Sequence, residues 1–296
     1  MTECHRQSLF TSFMKRLFWF ALALAALPIL GAERDIYDIM YLPRAGTTFG
    51  MSSFGYSHAH ANGSGDIFSL SSDAFWMNQT VGHSFTDKFS LSGNIGYLTS
   101  KSTHELEGYR LTSKQVGWSD PSLNARFRLS DDGLLWDVMG GALIESGKSY
   151  HDQGRSNNKR GVSEFTLGTQ VGKKTDSLQW AFHADLTRVG AQETENTSSS
   201  GRYVWKLEPY YQCSIGGQLL NRVGSRSFIR SGATFSAMGL GLTTEDLYKI
   251  YRVGTAYEHV CSKDLILRAG INYSVRDTWL TYIHQIGFTI GAGYQF

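Results

Sequence analysis

The residues able to do chemistry are charges of both signs, set two apart along stretches whose intervening positions are apolar. Arg126 and Arg128 follow Ser122 and Asn124, against Pro121, Leu123, Ala125, Phe127 and Leu129. His183 and Asp185 alternate with Phe182, Ala184 and Leu186; Lys206 and Glu208 alternate with Trp205, Leu207 and Pro209; Arg268 lies between Leu267 and Ala269. Asp137, Glu164, Arg252 and Glu258 complete the set, Asp120 shares its register, and Arg230 joins by a weaker pattern. Successive strand side chains point to opposite faces, so these charges form one face and the apolar residues the other. Opposite charges on neighbouring strands pair across a ladder, which lessens the cost of confining them. Fixed charge lining a passage sets electrostatic barriers. Such chemistry selects what passes and makes no bonds. Bracing of the wall is the competing role for each residue taken singly.

Other chemistry has weaker support. The glycine pairs lie within strands and do not open helices, so no nucleotide-binding loop is expected. His58-Ala-His60, beside a Gly/Ser/Asn-rich stretch, reads as plain surface, and neither a metal nor a cofactor is expected. Ser57 and His284 fall near matching ends of the first and last strands, where a lipid-facing Ser–His pair would resemble outer-membrane phospholipase A. No Asn/Asp arrangement or motif supports that pair, so no enzymatic activity is expected.

The elements that position these charges are best seen at the C-terminus. Ile286, Phe288, Ile290, Ala292, Tyr294 and Phe296 alternate with Gly287, Thr289, Gly291, Gly293 and Gln295. Ordinary strands run ~5–6 residues, whereas ~9–11 tilted residues cross a bilayer. Thr289, Gly291, Tyr294 and Phe296 fit polar-x-Gly-x-x-aromatic-x-aromatic, a pattern resembling the assembly signal of Gram-negative outer-membrane barrels. Twelve segments carry comparable patterns: 44–58, 68–84, 88–99, 114–129, 134–146, 161–173, 177–188, 202–216, 226–238, 249–260, 263–276 and 281–296. Tight links mostly follow even-numbered segments, and longer loops (59–67, 100–113, 147–160, 189–201, 239–248) follow odd-numbered ones. Short periplasmic turns and longer external loops are the habit of outer-membrane barrels. A soluble sandwich has no reason to show that parity. The fold expected is all-β: a transmembrane antiparallel up-and-down β-barrel of about 12 strands, spanning 44–296.

Composition agrees. Glycine, at 32 of 296 residues, exceeds the usual ~7 %, and proline, at four, falls below ~5 %, as suits long uninterrupted ladders. Trp136, Trp180, Tyr203, Trp205, Tyr251, Tyr257, Tyr273, Tyr282, Tyr294 and Phe296 fall on the apolar register near strand ends, where interfacial girdles form. Lys15-Arg16, the apolar run 17–30 and Gly31-Ala32 describe a signal peptide, 1–32, cleaved after Ala32. Residues 33–43 then form an N-terminal extension, either periplasmic or folded into the lumen. Losing Glu3, Arg6, Lys15 and Arg16 takes 28 basic and 26 acidic residues to 25 of each, with no basic surplus for nucleic acid. Cys213 and Cys261 fall on strands separated by another. Their Cα atoms would be ~9–10 Å apart, beyond the ~7 Å limit of a disulfide.

Gly117-Trp-Ser-Asp-Pro-Ser-Leu-Asn-Ala-Arg-Phe-Arg-Leu129, continuing through Trp136 to Ile144-Glu-Ser-Gly147, is similar to the "MetA-pathway of phenol degradation" family of outer-membrane transporters. Asp120, Arg126 and Gly147 match that pattern, while Glu145-Ser146 stands where the family carries Pro-Thr. The resemblance implies an outer-membrane channel, with small aromatic or hydrophobic organics as its solutes. The reading is thus a monomeric barrel in the outer membrane, with lipids, the barrel-assembly machinery and a small-molecule solute as partners. A closed structural, adhesive or partner-binding barrel is the alternative.

Overall fold

The computed structural model describes residues 38–62, 68–106, 109–152, 154–175, 177–198, 201–240, 248–277 and 281–296. The expected signal peptide and its cleavage site lie outside these residues. Seventeen strands follow in order: β1 (Thr48–Asn62), β2 (Phe68–Thr86), β3 (Phe89–Leu106), β4 (Tyr109–Trp118), β5 (Ser122–Ser130), β6 (Leu135–Leu143), β7 (Ser149–Asp152), β8 (Arg155–Ser156), β9 (Glu164–Lys174), β10 (Leu178–Val189), β11 (Gln192–Ser198), β12 (Gly201–Leu207), β13 (Tyr210–Arg222), β14 (Ser227–Leu240), β15 (Tyr248–Ser262), β16 (Leu265–Asp277) and β17 (Tyr282–Gln295). They make one antiparallel barrel of twelve staves, in which β4 and β5 share a stave, as do β10 with β11 and β12 with β13. The short strands β7 and β8 lie beside this wall, pairing with β11 and β4.

Closure rests on the last strand. β17 pairs with β16 on one side and with β1 on the other, from Phe49↔Gln295 to His60↔His284. Closing removes both sheet edges and leaves every ladder paired. In that register Phe288 and Ile290 stand at 50 % and 62 % exposure, with Phe54 exposed on the adjoining β1 and Phe75 on β2 beyond it. Phe165, Leu167, Leu123 and Phe127 are exposed on the opposite side of the barrel. A water-facing sheet would not present such a band; a lipid-facing one must. Trp136, Tyr251, Tyr257, Tyr273, Tyr282 and Phe296 are exposed on this outer face. Trp180 keeps the outward register but is buried against Phe182. The side chains of Tyr203 and Trp205 lie outside the described residues. Both cysteines are free, and β14 separates the strands that bear them.

Two expectations change. Much of 100–113 and 189–201 is not loop: β3 and β4 remain paired to Leu106↔Tyr109, and β11 and β12 to Ser198↔Gly201. These stretches are mostly Ser, Thr, Glu and other polar residues, with Leu106, Tyr109 and Leu111 too few to mark an apolar face along their length. The hydrogen-bond ladder continues where the hydrophobic signal that marks a strand has stopped. The fourth and eighth segments are also broken, at 119–121 and 208–209. Proline occupies each break, since it cannot donate to a ladder.

Candidate functional site

The inner face carries two charged centres, one on each side of the lumen. The first lies on β5 and β6 near the short-turn end. Arg128 and Asp137 are direct cross-strand partners, and Arg126 lies opposite Met139, one step further along. Asp137 is fully buried and takes both guanidinium groups: Arg126 Nε donates to Oδ2 at 2.7 Å, Arg128 Nη2 to the same oxygen at 3.2 Å, and Arg128 Nε pairs with Oδ1. One carboxylate cannot satisfy two arginines, and buried charge is tolerated only when its remaining donors are met. The chain entering the barrel meets them. Arg126 Nη1 donates to the Tyr41 carbonyl at 2.9 Å and Arg128 Nη2 to the Met40 carbonyl at 2.5 Å.

Residues 38–43 therefore lie inside the barrel, packed across its short-turn end. Lys174 Nζ lies 3.0 Å from Asp38 Oδ2, and the Gln179 amide clasps the segment by donating to Asp38 and accepting from the Ile39 amide. Met40 and Leu42 are buried, and Tyr41 hydrogen-bonds Gln295 of the last strand. Gly172 faces Met40, and a Cβ there would collide with the Met40 sulfur. A cavity of about 420 Å³ adjoins the segment, lined by Tyr41, Leu42, Phe49, Arg126, Met139 and Asp185 among others.

The second centre lies on β14, β15 and β16. Glu258 is fully buried between Arg230, whose Nε donates to Oε1 at 2.6 Å, and Arg268, whose Nε lies 2.7 Å from the same oxygen. Arg252 is exposed to the lumen on the same face of β15 and forms no ion pair among the described residues. A recess of about 440 Å³ opens between these arginines.

The remaining predicted residues divide between lumen and rim. His183 and Asp185 face inward, 3.9 Å apart, and glycines make room for both: a Cβ at Gly216 would meet the His183 ring and one at Gly168 the Asp185 carboxylate. Glu164 opens β9 and pairs with Arg160 at 2.6 Å. Lys206 leaves the lumen wall for the β11–β12 hairpin, where it pairs with Glu193 at 2.7 Å, and Glu208 is exposed at the break before β13. Thr289 and Gly291 face inward, while Tyr294 stacks on Phe296 outside. Sequence reasoning missed Asp38, Lys174 and Gln179. The last two continue the inward alternation of β9 and β10 and were legible; Asp38 belongs to no strand.

Asp120 proves to be a clasp and not a lumen charge. It is buried at the link between β4 and β5, where Oδ1 accepts from the Ser146 amide (3.0 Å) and hydroxyl (2.7 Å) and Oδ2 from the Arg160 amide (2.8 Å). Burial pushes this carboxyl up, but Ser146, the Arg160 amide and the Lys159 charge outweigh it and hold the group below the ordinary carboxylate range. Gly117, at φ +141°, supplies a conformation that L side chains rarely adopt just before the link. The two halves of the stretch that carries the family resemblance thus meet across one carboxylate.

Ser57 and His284 do not form a pair. Ser57 is buried, facing inward opposite Gly287, whereas His284 faces outward, bonded to the Tyr273 hydroxyl and stacked on His60 at 5.5 Å. His58 bonds Asp73 at 3.0 Å.

A closed antiparallel barrel with an apolar outside and a charged inside has the fold of the outer-membrane β-barrel proteins. Among solved structures it is similar to the COG4313 outer membrane channel from Pseudomonas putida F1, with a TM-score of 0.60 at 14 % identity over 91 % of this chain and 100 % of that one. It is also similar to the transport unit of the autotransporter AIDA-I from Escherichia coli, with a TM-score of 0.50 at 10 % identity over 89 % and 95 % of the two chains. At these identities the likeness is one of fold. The twelve-stranded barrel fits the transporter family that the Gly117–Gly147 stretch resembles. No family model and no curated protein matches the sequence.

Proposed function

We propose that the protein is an outer-membrane channel for the passive uptake of small solutes, constricted at its periplasmic end by residues 38–43. The observation that carries this reading is the inner face, where charged groups and two cavities lie within a closed, lipid-facing wall. A structural barrel needs no recess. The resemblance of the Gly117–Gly147 stretch and the fold shared with a solved outer membrane channel support the same reading. Small aromatic or hydrophobic organics are the solutes that the resemblance suggests.

The same reading makes residues 1–32 a cleaved leader and the protein a monomer in outer-membrane lipid. Thr289, Gly291, Tyr294 and Phe296 are then the address read by the barrel-assembly machinery. Arg126, Arg128, Asp137, Glu164, His183, Asp185, Arg252, Glu258 and Arg268 set the electrostatic profile of the passage. Lys206 and Glu208 lie above the passage at its rim, exposed to solvent.

Planar-bilayer recording tests the proposal. Wild-type protein is expected to give discrete steps, enlarged when residues 38–43 are replaced by a Gly-Ser linker. Silence from both proteins would overturn the channel and leave the closed barrel, which the buried entering segment independently favours.

A further inference from the structure

The second charged centre has features that bracing of a wall does not require. Gly232 and Gly254 are cross-strand partners, Ala256 pairs with Gly270 in the next row, and all four face the lumen. They give a flat floor of small groups across three strands, where large side chains would fill the barrel. Around it stand three arginines. Arg230 and Arg268 flank the floor and share the buried Glu258, and Arg252 stands on β15 beside Gly254, between Thr234 and Ser274. Three guanidinium groups share this face with one carboxylate. Arg230 is committed, with Nε and Nη2 on Glu258 and Nη1 on the Gln218 side-chain carbonyl oxygen at 3.3 Å. The surplus lies with the other two: Arg268 Nη1 lies 3.9 Å from the Met51 sulfur, and Arg252 has no ion-pair partner among the described residues. Cations gathered in a confined, low-dielectric space attract anions strongly, and a guanidinium fork matches the two oxygens of a carboxylate.

We propose that this recess is a binding site for small organic carboxylates, with Arg252 as the specificity-determining residue and the Gly/Ala floor as the seat for a flat apolar body. The proposal deepens the channel reading, on which it rests for solute access to the lumen. Arg230, spent on Glu258 and Gln218, braces one side of the recess, and Glu258 holds Arg268 on the other by its Nε edge. An incoming carboxylate takes the surplus charge without displacing Glu258.

Two measurements separate the failure of this site from the failure of the channel. The first is equilibrium binding of labelled benzoate to the purified full-length barrel in detergent. Saturable binding is expected, about tenfold weaker in Arg252→Gln and intermediate in Arg252→Lys, which keeps the charge but loses the fork. Benzyl alcohol, of similar shape but neutral, should not compete, and inorganic phosphate, which has no body for the floor, should compete poorly. The outward-facing Lys101→Gln should bind as wild type does. Heat-modifiable gel migration confirms that each variant is folded. No saturable binding, equal binding by folded Arg252→Gln, or full competition by benzyl alcohol or phosphate would overturn the proposal. The second measurement is the current in bilayers under a salt gradient. Benzoate binding without conductance defeats the channel and leaves the site standing; conductance without benzoate binding defeats the site alone.

Discussion

The two walls of the lumen use the same residue types toward opposite ends. On β5 and β6, two arginines surround one carboxylate, and their remaining donors are taken by backbone carbonyls of the entering chain. On β14–β16, two arginines again surround one buried carboxylate, but glycines lie beside them and a third arginine is left facing the lumen. Composition is nearly identical; occupancy differs. A charged cluster in a barrel is structural where the chain itself supplies the last hydrogen-bond partners, as it does for Arg126, Arg128 and Arg230, and Arg252 is the guanidinium for which it does not.

Predictions that break or sharpen this contrast run from large to small. Asp137→Ala would leave the buried Arg128 and the partly buried Arg126 without a counter-charge and should cost about 3–5 kcal/mol, read as a lower urea midpoint of heat-modifiable migration. An unchanged midpoint would mean that Met40 and Tyr41 suffice to hold Arg126 and Arg128. Replacing residues 38–43 with a Gly-Ser linker should raise single-channel conductance several-fold and leave the benzoate affinity of the opposite wall as it was. A parallel loss of affinity would show that the two walls are one site.

Asp120→Ala removes an acceptor from three donors and should loosen the 144–163 connection, at about 1–3 kcal/mol for the groups left unsatisfied. Protease susceptibility of that connection reports the effect. The same clasp has a pH signature. Because the folded carboxyl is depressed, its stabilisation is complete above the unfolded-state value and is lost as pH falls through the folded one. Protection should therefore weaken only in acid, and Asp120→Asn should flatten that dependence. Lys206→Gln, on the exposed hairpin, is expected to shift neither thermal stability nor ion selectivity measurably. A changed selectivity there would extend the charged passage above the rim.

The legible part was whatever alternation carries. A period of two with one apolar face gave the twelve staves, and the facing of Arg126, Arg128, Asp137, Glu258 and Arg268 followed from it. Where both faces are polar the signal vanished, which is why the β3–β4 and β11–β12 extensions read as loops. Asp120 shared the lumen parity of its neighbours, but a proline break turned it to another task.

What the sequence by itself determined is the period, the outward band and the C-terminal strand that closes on β1, since facing depends on neighbours along the chain. Only the tertiary structure decided that Asp137 is shared by two arginines, that residues 38–43 satisfy their other donors, and that Arg252 is left over. Partnership across a barrel depends on register and on which chain fills the lumen, and both arise from contacts up to about 250 residues apart in sequence, such as Tyr41 with Gln295.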